Sequence, residues 1–246
     1  MLRPVALAVC CAAASVVGAE TAEAQGDGDD GAVAALLSQL DVGALGREEA
    51  QDLLVVALEH PGRISALGRS PRDVQRRSLA AASRGRIPFS PVGMAFVLMR
   101  DGHPAAGDSL FDAAFQSAPS DAQRADYLYA RATNGLGDRA DLIDRALTYD
   151  PTHGPSLYTR VGLFADRVGR PSTAEGRAAY WCLADAYRRI VGVVESEPIA
   201  RAARRTATAY ERAAPPPSAF GGAGWREGDQ ITVTYGDGET CTTRVR

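Results

Sequence analysis

The groups in this chain that could do chemistry are few, and their spacing argues against most of it. His60, His103 and His153 are the three histidines, followed by Pro61, Pro104 and Gly154, so each reads as a turn residue. None has a second His, a Cys or a paired carboxylate at metal-ligand spacing. Asp141 and Asp144 share a helical face, but Arg145 follows directly and a solvated helix face accounts for all three. There is no Gly-x-Ser-x-Gly, no His-Glu-x-x-His and no Gly-rich phosphate loop after a strand. All 27 basic residues are Arg. Without Lys, neither a Walker phosphate loop nor a Schiff-base mechanism is open to the chain. Nothing calls for a metal or a cofactor, and the expectation is a protein that is not an enzyme.

Three other groups have a sharper and a plainer reading. Between residues 69 and 86 lie Arg69, Arg72, Arg76, Arg77, Arg84 and Arg86 against Asp73 alone. That stretch is either a site for phosphate or an acidic partner, or a solvated helix face, and the latter is preferred. Tyr180, Trp181 and Tyr187 could line a ligand pocket, but large aromatics on a helix are core side chains more often than not. Cys182 and Cys241 could pair in an oxidising compartment, where a loop of this length gives roughly 4 kcal/mol in the chain-entropy model. Equally, Cys182 could be a small apolar core residue.

The compartment is legible at the start of the chain. Met1-Leu2-Arg3 is a short basic segment, residues 4–19 are apolar, and Ala22-Glu23-Ala24 is a small-x-small cleavage pattern. A secretory signal peptide over residues 1–24 is expected, with Ala19 as the alternative cut. The product is then exported, periplasmic or extracellular, with Cys10 and Cys11 discarded. No later apolar run is long enough to span a bilayer. The formal net charge of -3 becomes about -2 without Arg3, Glu20 and Glu23, which leaves no general footprint for nucleic acid. Residues 25–31 have calcium-loop composition but lack the closing Glu, and are read as a flexible tether.

The elements that must position everything else are helices. Residues 32–60 carry two apolar stretches of an αα-hairpin closed by His60-Pro61-Gly62, within an N-terminal helical region at 32–87. From residue 88 one spacing recurs. Gly107, Phe111, Ala114 and Pro119 stand four, three and five apart, as do Arg139, Ile143, Ala146 and Pro151, and Ala186, Ile190, Val193 and Pro198. Steps of four and three share a helical face, and the Pro marks the loop beyond. Each set is the second helix of a hairpin. The first helices hold Met94, Ala95 and Leu98, then Leu128 and Ala132, then Leu157, Val161 and Phe164. The repeat core is expected at Met94, Ala95, Leu98, Gly107, Phe111, Ala114, Ile143, Ala146, Ala186, Ile190 and Val193.

This pattern resembles the tetratricopeptide (TPR) repeat, with small Gly107 and Ala186 where two helices approach and Arg139 departing from that rule. A shortened turn at Leu136-Gly137-Asp138 and an insert at 169–180 predict an irregular superhelix. In order, ALTYDPTHG (146–154), EGRAAYWCLADAYRRI (175–190), a helix ending at Tyr210 and a Pro-bearing link into GDQITVTYGDGETCTTRVR are similar to the C-terminal half of exported TPR-type proteins of Bacteroidota. That resemblance covers residues 88–246. It implies helical repeats at 88–214 and a small β element, and carries no catalytic motif.

The last segment, 215–246, is a Pro-rich link and a β hairpin. An Asp-Gly two-residue turn would set Ile231 and Val233 across from Arg244 and Thr242. A three-residue loop with Gly238 left-handed pairs Val233 with Cys241 and Ile231 with Thr243, gathers the less polar face, and is preferred. A lone hairpin is marginal in water, so this one should dock on the helices through Phe220 and Trp225. The fold class expected is mainly α: an irregular TPR-like array of helical hairpins with a small C-terminal β hairpin. The function expected is a scaffold that binds an unidentified protein or peptide; the alternative is an accessory subunit of an envelope assembly, docked through the hairpin.

Overall fold

The structure, a computed structural model, describes residues 29–84, 90–236 and 238–246. The expected signal peptide lies outside the described residues, as do Arg86 and Asp237. Helix α1 (Asp29–Asp41) opens the chain, so the last three residues assigned to a tether are helical. The physical reason is end chemistry. Asp30 sits in the first turn, where free N–H groups favour a carboxylate, and it accepts a hydrogen bond from Arg63 Nη2 at 2.7 Å.

Helices α2 (Arg47–Glu59), α3 (Pro61–Ala66) and α4 (Pro71–Ala82) follow. His60-Pro61-Gly62 therefore does more than close a hairpin: Pro61 begins α3, since its fixed φ suits a first turn where no N–H is needed. The same device recurs. His60, His103 and His153 are the N-cap residues of α3, α6 (Pro104–Gln116) and α9 (Gly154–Val168), each with Pro in the first helical turn.

The hairpins come next: α5 (Pro91–Arg100) packs on α6, and α7 (Asp121–Thr133) on α8 (Arg139–Tyr149). Side-chain oxygens of Ser90, Ser120 and Asp138 cap α5, α7 and α8 by accepting from the N–H groups of Gly93, Gln123 and Asp141, each such cap worth about 1 kcal/mol. After α9 come the short α10 (Ala174–Arg177), α11 (Ala179–Val191) and α12 (Glu197–Ala213). Helix α9 packs against both α8 and α11, and α11 against α12. Pro198 lies in the first turn of α12, not in the loop before it.

Met94, Ala95, Leu98, Phe111, Ala114, Ile143 and Ala146 are all buried, in one apolar cluster that runs from Val33 to Ala146. Gly107 is buried among them. A Cβ there would lie 2.4 Å from Met99 Cγ and 2.7 Å from the Ala95 carbonyl oxygen, so α5 and α6 meet at a distance that only glycine allows. The third set behaves differently. Ile190 is buried, but Ala186 is half-buried and Val193 is 47% exposed. Val193 falls in the turn just past α11, with its side chain turned to solvent, while Val194 next to it packs against the apolar cluster around Ile190.

Pro215 to Pro217 end α12, and a 3₁₀ turn (Pro217–Ala219) and the short α13 (Phe220–Ala223) lead to strands β1 (Gln230–Tyr235) and β2 (Glu239–Arg244). The strands are antiparallel with Val233 opposite Cys241 and Ile231 opposite Thr243, the register of the three-residue loop. Gly238 has φ 93°, open to glycine at little cost. Phe220, Val233 and Val245 are buried with Trp181, and Trp225 packs beside them. Cys182 of α11 is bonded to Cys241 of β2, with Cα atoms 6.3 Å apart. Beside the disulfide, Thr243 Oγ1 donates to Asp185 at 3.0 Å, and Arg246 pairs with Asp185 and Glu211. The hairpin is thus tied to α11 and α12 by apolar, covalent and ionic contacts at once.

Candidate functional site

One arrangement has the composition of a hydrolytic triad. His153 Nδ1 lies 2.7 Å from Ser156 Oγ, and His153 Nε2 lies 3.0 Å from Asp126 Oδ1. The exposure runs the wrong way for catalysis. Ser156 is fully buried and His153 nearly so, while the Asp126 side chain is 68% exposed. A nucleophile must reach a substrate carbonyl, and the acid that orients the base must be sheltered from water. Here the hydroxyl is sealed and the acid is in solvent. What the trio does is fix the start of α9 onto α7, with Tyr129 edge-on to the imidazole at 5.6 Å. The sequence signal for it was only His153-Gly-Pro-Ser156; the contact with Asp126 crosses from another helix.

Arg69, Arg77 and Arg84 of the basic stretch are also spent internally. Arg77 donates to the carbonyl of Leu40 at 2.8 Å and to Asp41 at 2.9 Å, and Arg69 also binds Asp41. Arg84 donates to the carbonyls of Gly43 and Leu45. These carbonyls close α1 and the turn after it, where a helix end leaves acceptors unpaired and favours a cation. The Arg77 hydrogen bond holds the Asp41 carboxyl below the usual carboxylate range, with Arg69 adding to it. The Arg76 contact does the same for Asp73. Asp141 and Asp144 stand exposed, the former 3.7 Å from Arg145 and the latter 3.0 Å from Arg160.

Trp181 and Tyr187 are core residues, 2% and 3% exposed. Trp181 packs edge-on to Phe220, and Tyr187 stacks on Tyr210 with ring centroids 5.9 Å apart. Burial pushes the Tyr187 hydroxyl well above the ordinary tyrosine value, with Tyr158 and Tyr210 adding to it. Burial raises Tyr210 and Tyr235 too, and Glu239 contributes to the latter.

An open groove of about 440 Å³ lies between α9 and α11. Leu157, Val161 and Phe164 form one wall and Ala186, Ile190 and Val193 the other. Each wall is a stripe at i, i+4 and i+7, which on a helix is a single apolar face. These are the stripes that periodicity alone assigns to the inside of a third hairpin; Ile190 is buried there, while Ala186 and the α9 stripe are half-buried and Val193 is exposed. Arg160, Arg167 and Arg189 stand around them, and no acid lines the groove. Arg160 pairs with Asp144 and Arg167 with Glu239, both at 3.0 Å, while Arg189 has no side-chain partner among the described residues. The hairpin lies beside the groove. Tyr235 packs on Phe164 with centroids 4.9 Å apart, and a second depression bordered by Cys182 and Cys241 shares Phe164 and Arg189 with the first.

No protein-family profile matches the chain, and neither a curated protein nor a solved structure does. Among the described residues no cluster of three or more His, Cys, Asp or Glu could hold a metal ion, and no helix is long and apolar enough to cross a membrane.

Proposed function

We propose that this chain is an exported, non-catalytic, TPR-like scaffold that binds a protein or peptide segment in the groove between α9 and α11. The observation that carries the reading is the pair of facing apolar stripes. Leu157, Val161, Phe164, Ala186 and Val193 keep part of their apolar surface exposed, and covering it with a partner recovers about 25 cal/mol for each Å² of apolar surface. Helical hairpins with a recurrent spacing and close α5–α6 packing at Gly107 support the TPR-like description. The Cys182–Cys241 bond supports export, because such bonds persist in oxidising compartments. The buried hydroxyl of Ser156 supports a role without catalysis.

Affinity capture from an envelope extract, run in parallel with the wild-type chain and Val193→Asp, tests the groove. Val193 is exposed, so the charge falls on the groove and not on the core. A partner held by the wild type and lost by the variant is the expected result. A partner held equally by both moves the binding surface elsewhere. The outer edges of β1 and β2, which pair with no other strand among the described residues, are then the surface to test, as in an envelope assembly built by strand addition.

A further inference from the structure

Resting on that reading of the groove, we infer that its occupant is an amphipathic helix with acidic residues along one flank. Both walls are helices whose interior N–H and C=O groups are paired along their own backbones. An extended strand laid between them would find no main-chain partners, whereas a helix satisfies its own. The dimensions agree. Leu157 to Phe164 spans about two turns of α9, or about 10 Å at 1.5 Å per residue, and Ala186, Ile190 and Val193 lie opposite, the last just past the end of α11. An apolar face at i, i+3 or i+4, and i+7 on an incoming helix matches that length, its ridges seated between those of the two walls.

Charge selects among such helices. The ionised residues lining the groove are Arg160, Arg167 and Arg189. Arg189 is unpartnered among the described residues. The other two hold carboxylates in pairs whose side chains are 60% and 57% exposed for Arg160 with Asp144, and 52% and 46% for Arg167 with Glu239. Exposed pairs of that kind are worth only about 0–1 kcal/mol, so carboxylates from a ligand exchange with them at little cost. A basic helix would instead meet three guanidinium groups. A fatty acid shares the carboxylate and the apolar tail, but an alkyl chain gains from an enclosed slot, and the α9 wall is half-exposed along its length.

Fluorescence anisotropy with the full chain tests this. The probe is a labelled helical peptide of about four turns with Leu along one face and Glu on the flank, beside a version with Arg in place of Glu and a scrambled version. The expected result is binding of the Glu peptide alone, weakened about tenfold by Arg189→Glu and progressively by added salt. Arg189→Gln, with a smaller loss, and an unchanged circular dichroism spectrum separate lost contact from lost fold. Equal binding of the Glu and Arg peptides overturns the acidic preference, and equal binding of the scrambled peptide overturns the helical face. Binding of none of the three, while a captured partner still depends on Val193, rejects the acidic helix and leaves the groove reading standing. Tight binding of a labelled fatty acid instead of the peptides also overturns the inference. So does self-association in sedimentation velocity that Val193→Asp abolishes, because a second copy is then the occupant.

Discussion

The stack from α1 to α8 and the module from α9 to β2 solve the same packing problem with different materials. The stack buries Leu, Ile, Val and Ala along helix after helix, with Phe96 and Phe111 as the large side chains of its buried cluster. The module buries Trp181, Phe220 and Tyr187 and adds a disulfide and an ion-pair network around Asp185 and Glu211. Successive helices cover one another, so small residues and close approach suffice within the stack. At the end of the stack no further helix pair remains to cover the last face, and a different closure is required. The β hairpin with its anchors closes one face of α11. The groove is the face it leaves open.

That contrast can be broken most directly at Cys182 and Cys241. Replacing both with Ala should cost about 4 kcal/mol, since the bond closes a loop with a sequence separation of 59. The loss should fall on the module. Both tryptophans of the chain, Trp181 and Trp225, lie there, so Trp emission should shift to lower denaturant while most of the far-ultraviolet helix signal holds. Coincident, unshifted transitions would show that the bond contributes nothing and that the two regions melt as one.

In the stack the expected weak point is Gly107. Alanine there recovers about 1 kcal/mol of helix propensity but forces a Cβ against the Ala95 carbonyl oxygen, and overpacking of that sort costs up to about 3 kcal/mol. The net should be a loss of about 2 kcal/mol, read as a lower midpoint in urea by circular dichroism. A stabilised variant would mean that α5 and α6 separate without cost.

Alkaline pH should discriminate between the regions again. Tyr187, Tyr210 and Tyr235 all belong to the module and are all raised by burial. A folded value above the unfolded one means that the unfolded chain loses its proton first. The contribution is therefore whole below about pH 10 and declines as pH rises above it. Tyr187 alone should account for about 1 kcal/mol over the first pH unit above that value, with the Trp-reported transition moving before the helix signal. Tyrosinate absorbance in the folded protein at its ordinary pH would contradict the burial.

The smallest effect expected is a gain. Ser78 in α4 is fully buried and its Oγ has no hydrogen-bond partner among the described residues. Ser78→Ala should raise stability of the stack by up to about 1 kcal/mol, because the variant has no hydroxyl to desolvate. A loss of stability in the same urea titration would imply a partner for that hydroxyl.

Much of the stack can be read along the chain. The steps of four and three that join Gly107 to Ala114 and Ile143 to Ala146 identify faces that the fold does bury, because a helix fixes which side chains share a face. The pairing of Val233 with Cys241 was legible for a similar reason: two-residue alternation and the glycine at 238 leave few registers that put apolar side chains together. The third unit shows where such reasoning fails. Its stripes through Val161 and Ile190 have the same period as the buried ones, yet only Ile190 is buried while Ala186 and Val161 are half-buried and Val193 is exposed, since periodicity says which residues face one way and not what lies opposite them.

What the sequence determined by itself was therefore local: helix faces, the prolines that start helices, the hairpin register, and the exclusion of lysine-dependent chemistry. The tertiary structure decided which faces were covered. It turned Arg77 of α4 and the flanking Arg69 and Arg84 toward the carbonyls and carboxylate at the end of α1 and the turn after it, placed Asp126 against His153, and brought Cys182 to 6.3 Å from Cys241. It also left Arg189 beside an open apolar groove. Each of those outcomes depends on the approach of segments distant along the chain, which is set by how the hairpins stack and not by the period within any one of them.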